Sequence, residues 1–170
     1  MIQSNLIRLF EDSIRMNWDR PAMSDYGHAR VYTYGDVAER IEKIHLILRQ
    51  AGIEKNDRVA LIGKNSSNWA MTYVATVTYG AIVVPILQDF KPGDVTHIVN
   101  HSESKLIFAG DPLWEQLDIH AMKGLIAAIS VNDFSVLDVQ TRPQTKEELK
   151  AALKQAKKEQ DNKELEAEDV

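Results

Sequence analysis

"LIGKNSSNW", residues 61–69, is where a hydrophobic run meets glycine, lysine and serine. A nucleotide-binding P-loop ends in Gly-Lys-Ser or Gly-Lys-Thr, and its backbone N–H groups cradle phosphates. A plain corner between a strand and a helix can carry the same letters. The glycines decide between the two. A Walker loop needs a glycine five residues before the Gly of Gly-Lys, and that position is Arg58. The eight glycines stand at 27, 35, 52, 63, 80, 93, 110 and 124, no two closer than eight residues. Dinucleotide fingerprints and kinase glycine loops need glycines within a few positions, so neither exists in this chain. Gly63 is expected to turn the chain off a strand. Asn65 to Asn68 supply helix N-cap chemistry, and Lys64 is expected to be a solvated side chain.

Outward from this corner, helix and strand patterns alternate. Upstream, Leu6, Phe10, Ile14 and Trp18 recur every four residues, which predicts an amphipathic helix over 4–18. A short extended piece follows Pro21, and "ARVYTY" alternates as a strand does. Thr33 with Asp36 three residues on resembles a capping box. It opens a helix to about Gln50, with Val37, Ile41, Ile44 and Leu48 on one face and Gly52 at the C-terminal left-handed position. "EKNDR" is a turn, "VALIG" a buried strand, and Asn68 to Tyr79 a helix. "AIVVPIL" is β-branched and reads as a buried parallel strand. Pro92 suits the first turn of a helix to about His101. "KLIFAG" is a strand, 112–122 is predicted helical, and "LIAAISV" is a further strand. Four apolar strands joined by helical crossovers imply an α/β fold. Its sheet would be doubly wound and mostly parallel, with helices on both faces.

From Ser66 to Gln88 no residue is charged for 23 positions, close to the ~20 a membrane span needs. The run is broken by Gly80 and Pro85 and holds several Ser, Thr and Asn residues, which favours helix, turn and strand over a span. The N-terminal stretch mixes acids and bases and lacks a signal-peptide layout, so a cytoplasmic location is expected. The net charge of −5 gives no basic field for nucleic acid. The absence of cysteine excludes disulfides, Cys-ligated zinc, iron–sulfur clusters and a cysteine nucleophile. Composition shifts after about Arg142. Residues 144–170 hold 6 Lys and 8 Asp or Glu around a thin stripe of Leu149, Leu153 and Ala156. The expected organisation is an α/β unit over 1–143 and a charged tail, a marginal helix or linker, over 144–170.

Other constellations carry little chemistry. His97 and His101 are spaced as on a zinc helix, but Ile98 stands where HExxH has its glutamate, and no third ligand is near. Ser66 and Ser67 lack a nucleophile elbow. His28 and His45 have no evident partner. Asp57, Asp89 and Asp94 are explained by turns, and Trp69 by packing.

Taken together, several segments resemble the N-terminal part of adenylate-forming enzymes, the family of acyl-CoA synthetases, firefly luciferase and peptide-synthetase adenylation domains. The resemblance covers about residues 20–111. It rests on "YTYGD" opening a helix, "LRQAG" closing it, "DRVAL" followed by "NSSNW", then "YGAIVVPI" and "PGDVTHIVNHSESKLIFAG". "GLIAAISVNDFSVL" is similar to the long-chain fatty acyl-CoA synthetase branch. The resemblance implies ligation of a fatty acid to coenzyme A through an acyl-adenylate, with ATP and magnesium. It also implies that the family's Ser/Thr/Gly-rich loop ending in Gly-x-Pro-Lys, its Tyr/Thr-Glu motif, its ribose-binding Asp and its catalytic-lysine domain are not in this chain. The expected catalytic, cofactor-binding and metal residues are therefore none. The chain by itself is expected to be inactive, its partner the remainder of its own polypeptide. Fatty acid and CoA would be partners of the parent, which is expected not to be transmembrane, though it could lie peripheral to a membrane. An exposed sheet edge could support a dimer. The alternative is a stand-alone, catalytically inactive interaction or regulatory module of the same fold.

Overall fold

In the computed structural model, residues 5–140 are described, and the predicted 144–170 tail lies outside them. Helix α1 (Leu6–Met16) leads into a two-stranded antiparallel ribbon of β1 (Pro21–Ser24) and β2 (Val31–Thr33), followed by α2 (Tyr34–Gln50). Then come β3 (Arg58–Ile62), α3 (Ser67–Tyr79), β4 (Ile82–Ile86), α4 (Pro92–His101), β5 (Leu106–Ala109), β6 (Ala127–Ser130) and β7 (Val136–Val139). These last five strands form one sheet in the order β4-β3-β5-β6-β7. All pairs are parallel except β6–β7.

The side-chain period of two along each strand builds two cores. Val59 and Leu61 of β3, with Leu106 and Phe108 of β5, pack against Ile41, Ile44 and Leu48 of α2 and Met71 and Ala75 of α3. Ala60, Ile62, Ile107 and Ala109 face the other way, onto Val95 and Val99 of α4 and the 119–125 segment. Helices therefore cover both faces of the sheet. The reversal follows from the strand order. A right-handed crossover from β3 to β4 puts its helix on one face, and a right-handed crossover from β4 back over β3 to β5 puts its helix on the other.

Local chemistry fixes the helix ends. The Asp36 N–H donates to Thr33 Oγ1 at 3.1 Å, and the Thr33 N–H donates to Asp36 Oδ2 at 2.8 Å. The two preceding N–H groups, of Tyr34 and Gly35, donate to Arg20 O and Trp18 O, so α2 begins with its free donors satisfied. The Trp18 indole lies on Gly35, where a Cβ would come within 2.7 Å of it. Gly80 closes α3 in the left-handed region at φ 90°, and Pro92 sits in the first turn of α4. Hydrogen bonds from the Thr33 N–H and then its hydroxyl hold the Asp36 carboxyl below its ordinary value. A depressed folded pKa means that this stabilisation is complete above the unfolded-state carboxylate pKa and is lost as pH falls through the depressed value. Thr33→Ala is expected to lower stability by about 0.5–2 kcal/mol at neutral pH. Urea unfolding of both proteins should show the gap narrowing only in part on acidification, because the Thr33 N–H still donates to Asp36 in the variant; no measurable gap at neutral pH would contradict the capping account.

Four expectations are corrected. The "AIVVPIL" strand is parallel, but as β4 it is an edge strand rather than a buried one, with Ile82 45% exposed. An edge is where a strand proline is tolerated, and Pro85 is there. Residues 112–122 do not form one helix. They make two short 3₁₀ turns, Trp114–Gln116 and Ile119–Ala121. The sheet has a fifth strand, β7, that the pattern did not predict. Of the predicted α1 stripe, Phe10 and Ile14 face the core, Leu6 is about half exposed, and Trp18 lies past the helix end, also about half exposed. Among the described residues no helix is long and apolar enough to cross a membrane.

Candidate functional site

In an open α/β sheet, ligands bind beyond the carboxyl ends of the strands, where successive connections leave in opposite directions. Here that point lies between β3 and β5. The chain leaving β3 runs to α3 on one face. The chain leaving β5 runs to the 113–125 segment on the other. The residues at the mouth are Gly63 and Lys64 after β3, Gly110 and Asp111 after β5, and Val131 and Asn132 after β6.

The mouth is tightly closed. A Cβ on Gly110 would lie 3.2 Å from the Gly63 Cα, and a Cβ on Gly63 would lie 3.2 Å from Val131 Cγ1. The Gly110 N–H donates to Ile62 O at 2.9 Å and the Val131 N–H to Ala109 O at 2.9 Å, continuing the ladder past the strands. Gly63 is buried and outside the positive-φ region that Gly27, Gly52 and Gly80 occupy. As expected, the chain bends at Gly63 as it leaves β3, without a positive φ; the position is also tight, since a side chain there would meet Val131 first.

A polar chain borders this contact. Asn68 Nδ2 donates to Asn132 O at 2.7 Å, and Asn132 Nδ2 donates to Asp111 Oδ2 at 3.0 Å. The Asn132 N–H donates to the hydroxyl of buried Ser130. Asn68 Oδ1 is buried and has no hydrogen-bond partner among the described residues. Ser135, through its hydroxyl and then its N–H, holds the Asp133 carboxyl below its ordinary value. Asp25, from the loop after β1, accepts the Ser67 N–H at 2.6 Å and so ties that loop to the start of α3. No expectation from the sequence joined these residues. Asn132 lies 21 positions from Asp111 and 64 from Asn68, and Asp25 lies 42 from Ser67, so only the assembled fold brings these pairs together.

The residues weighed in the sequence fall as follows. Ser66 accepts the Trp69 N–H and caps α3, while Lys64 is exposed. His97 and His101 are exposed and stacked at 5.8 Å. No group of three or more His, Asp or Glu that could hold a metal occurs among the described residues. Asp57 is more than a turn residue: it accepts from the Glu54 N–H and pairs with Lys105 at 2.7 Å. Trp69 is half-buried and stacks on Tyr73. His45 has partners after all, with Nε2 2.9 Å from Ala75 O and 3.0 Å from Thr78 Oγ1.

This donor set does not fit a triphosphate with magnesium. The two glycines are pressed against each other rather than opened into a cradle, Val131 Cγ1 stands against both, and Lys64, next in the chain, is exposed. What the arrangement can do is hold the ends of β3, β5 and β6 in fixed register.

The model of the AMP-binding enzyme family matches residues 10–170. YdaB of Bacillus subtilis (strain 168), a proposed acyl-CoA ligase, is 38% identical over 86 residues, which is 51% of this chain and 17% of that protein. Surfactin synthase subunit 2 of the same strain is 30% identical over 100 residues, 59% of this chain and 3% of that protein. Among solved structures, coronafacic acid ligase from Pectobacterium brasiliense superposes with a TM-score of 0.71 at 20% identity, over 76% of this chain and 26% of that one. The chain thus spans only 17% and 3% of the lengths of these two curated relatives. The sheet order and a family match over nearly all of its residues lead to one assignment: this chain belongs to the AMP-binding enzyme family and has the acyl-CoA synthetase/luciferase-like fold.

Proposed function

We propose that the chain is the N-terminal α/β part, over 1–143 with a charged tail over 144–170, of a long-chain fatty acid–CoA ligase. The parent would join ATP and a fatty acid into an acyl-adenylate and pyrophosphate, and coenzyme A would then displace AMP. The observation that carries this reading is the family match over residues 10–170, joined to a first relative named for acyl-CoA ligation. The long-chain branch rests on the resemblance of "GLIAAISVNDFSVL", residues 124–137.

No catalytic, cofactor-binding or metal residue is assigned to this chain. ATP, magnesium and coenzyme A would be held by the rest of the parent polypeptide, which is the chain's main partner. Its own contribution is a rigid sheet whose strand ends are locked by Gly63, Gly110 and Val131. A cytoplasmic location, with contact to a membrane surface, suits such a parent. The β4 edge, with Ile82, Leu87 and Phe90 at 45%, 68% and 41% exposure, is an apolar surface that the remaining polypeptide would cover. Without that cover, pairing of two copies along β4 is expected. The same surface is what a stand-alone inactive interaction module would use.

The test is exchange of radiolabelled pyrophosphate into ATP. It should be run with palmitate, acetate and an amino acid as acceptors, on the 170-residue chain and on the protein extended by its continuing reading frame. The extended protein should exchange with palmitate and the 170-residue chain with none. Exchange by the short chain, or a preference of the extended protein for the amino acid, would overturn the proposal.

A further inference from the structure

Helices α1 and α2 touch without sealing the space between them. Between them lies a groove of about 790 Å³, floored by Phe10, Ile14 and Ile41 and edged by charged side chains. That volume lies within the ~300–1,000 Å³ of small-molecule sites. On α2 the lining positions 38, 41, 42 and 45 share one face, because residues three, four and seven apart stack along a helix. This face thus alternates an apolar floor with Glu42 and the His45 imidazole, and Glu39 borders it.

The polar groups around the floor are mostly acceptors. Glu11, Glu39 and Glu42 line the groove and make no ion pair among the described residues. The one arginine there, Arg15, is turned to Asp12 at 3.5 Å. The imidazole adds a further acceptor. Its Nε2 faces the Ala75 carbonyl oxygen, which can only accept, so Nε2 carries the hydrogen. The Thr78 hydroxyl spends its own hydrogen on Val74 O at 2.8 Å, so it too accepts from Nε2. When the ring is neutral, this arrangement leaves Nδ1 as an acceptor, and no described residue donates to it.

We propose that this groove binds an amphiphile with an apolar chain and an ammonium head. The chain would lie on Phe10, Ile14 and Ile41. The head would donate to Glu39, Glu42 and Nδ1 of His45. From Ile7 to Ile14 the groove runs about 10 Å at 1.5 Å per residue, the reach of an extended eight-carbon chain. The same carboxylates repel a fatty acid anion, so this site is distinct from the acyl site proposed for the parent and stands whether or not that proposal does.

The test is an NMR titration of the ¹⁵N-labelled 170-residue chain with n-octylammonium, n-octanoate and n-octanol. Octylammonium should shift amides of α1 and the first half of α2 saturably, with a Kd about tenfold below that of octanoate, as several exposed charges acting together allow. The Glu39→Gln/Glu42→Gln double variant should lose most of that preference while binding octanol as before, which also shows the groove intact. Equal or tighter binding of octanoate would overturn the proposal. So would a preference unchanged in the double variant, or shifts confined to β4 and β7.

Discussion

Phe108→Ala is expected to destabilise the α/β unit by about 3–5 kcal/mol, the range for emptying a buried aromatic site. Domains of this size have total stabilities of only about 5–15 kcal/mol, so a large share of the folding margin would go. Phe108 is fully buried on β5, flanked by β3 and β6. Its ring meets that of Phe134 edge-on, with centroids 6.4 Å apart and planes at 74°. Phe134 in turn lies under the Arg40 guanidinium of α2, 5.1 Å from the ring centroid. It holds a left-handed backbone, φ 63°, in the turn between β6 and β7. A non-glycine residue keeps that conformation when its surroundings compensate, and the Phe108 ring is part of that compensation. The alanine variant should therefore also loosen β7, read as faster amide exchange at 136–139 than elsewhere in the sheet. Phe108→Leu, which keeps most of the apolar volume, should be markedly milder in urea denaturation. A loss under about 1 kcal/mol for the alanine variant would mean that the site collapses freely and the ring is not a keystone.

The reach of each interaction along the chain explains what the sequence could announce. The Thr33–Asp36 box, the Gly52 and Gly80 helix ends and Pro92 in the first turn of α4 are settled within a few residues, and all were legible. The apolar strands β3, β5 and β6 were legible because burial on both faces leaves an unbroken hydrophobic run. β7 was not: Val136-Leu137-Asp138-Val139 is short and half-exposed, and it becomes a strand only by pairing with β6. The 112–122 segment has a helical look, yet it must tuck Ile119 and Met122 under the sheet between Pro112 and Gly124. Two tight turns do that, with Asp118 capping the second. The partners of His45 lie 30 and 33 residues away, and those of Asn68 and Asp25 lie 64 and 42 away. Such contacts leave no periodic trace. Spacing excluded a phosphate loop at Gly63, but it could not say that Val131 would press on Gly63 or that the Gly63 backbone would press on Gly110.

That contact supports the second large effect, which separates a backbone constraint from a side-chain one. Gly110→Ala should destabilise the unit by about 1–3 kcal/mol. The new Cβ would meet the Gly63 Cα at 3.2 Å, and that atom can withdraw only if β3 and β5 part at their carboxyl ends. Gly63→Ala meets Val131 Cγ1 at the same distance first, and the Gly110 backbone only at 3.6 Å and beyond. A methyl group can be removed where a backbone cannot. In a double-mutant cycle, Val131→Ala should therefore offset much of the Gly63→Ala penalty, with a favourable coupling of about 1 kcal/mol, within the range for touching residues. It should offset little of the Gly110→Ala penalty, because Val131 Cγ1 lies 3.6 Å from that Cβ and is not the first obstacle. Urea denaturation of the single and double variants measures both couplings. Equal couplings in the two cycles would place the constraint in Val131 alone and remove the backbone contact from the account of how the strand ends are locked. Unequal couplings would mean that the two glycines serve for different reasons. Gly110 would be small because two backbones meet there, and Gly63 because a neighbouring valine side chain stands against it.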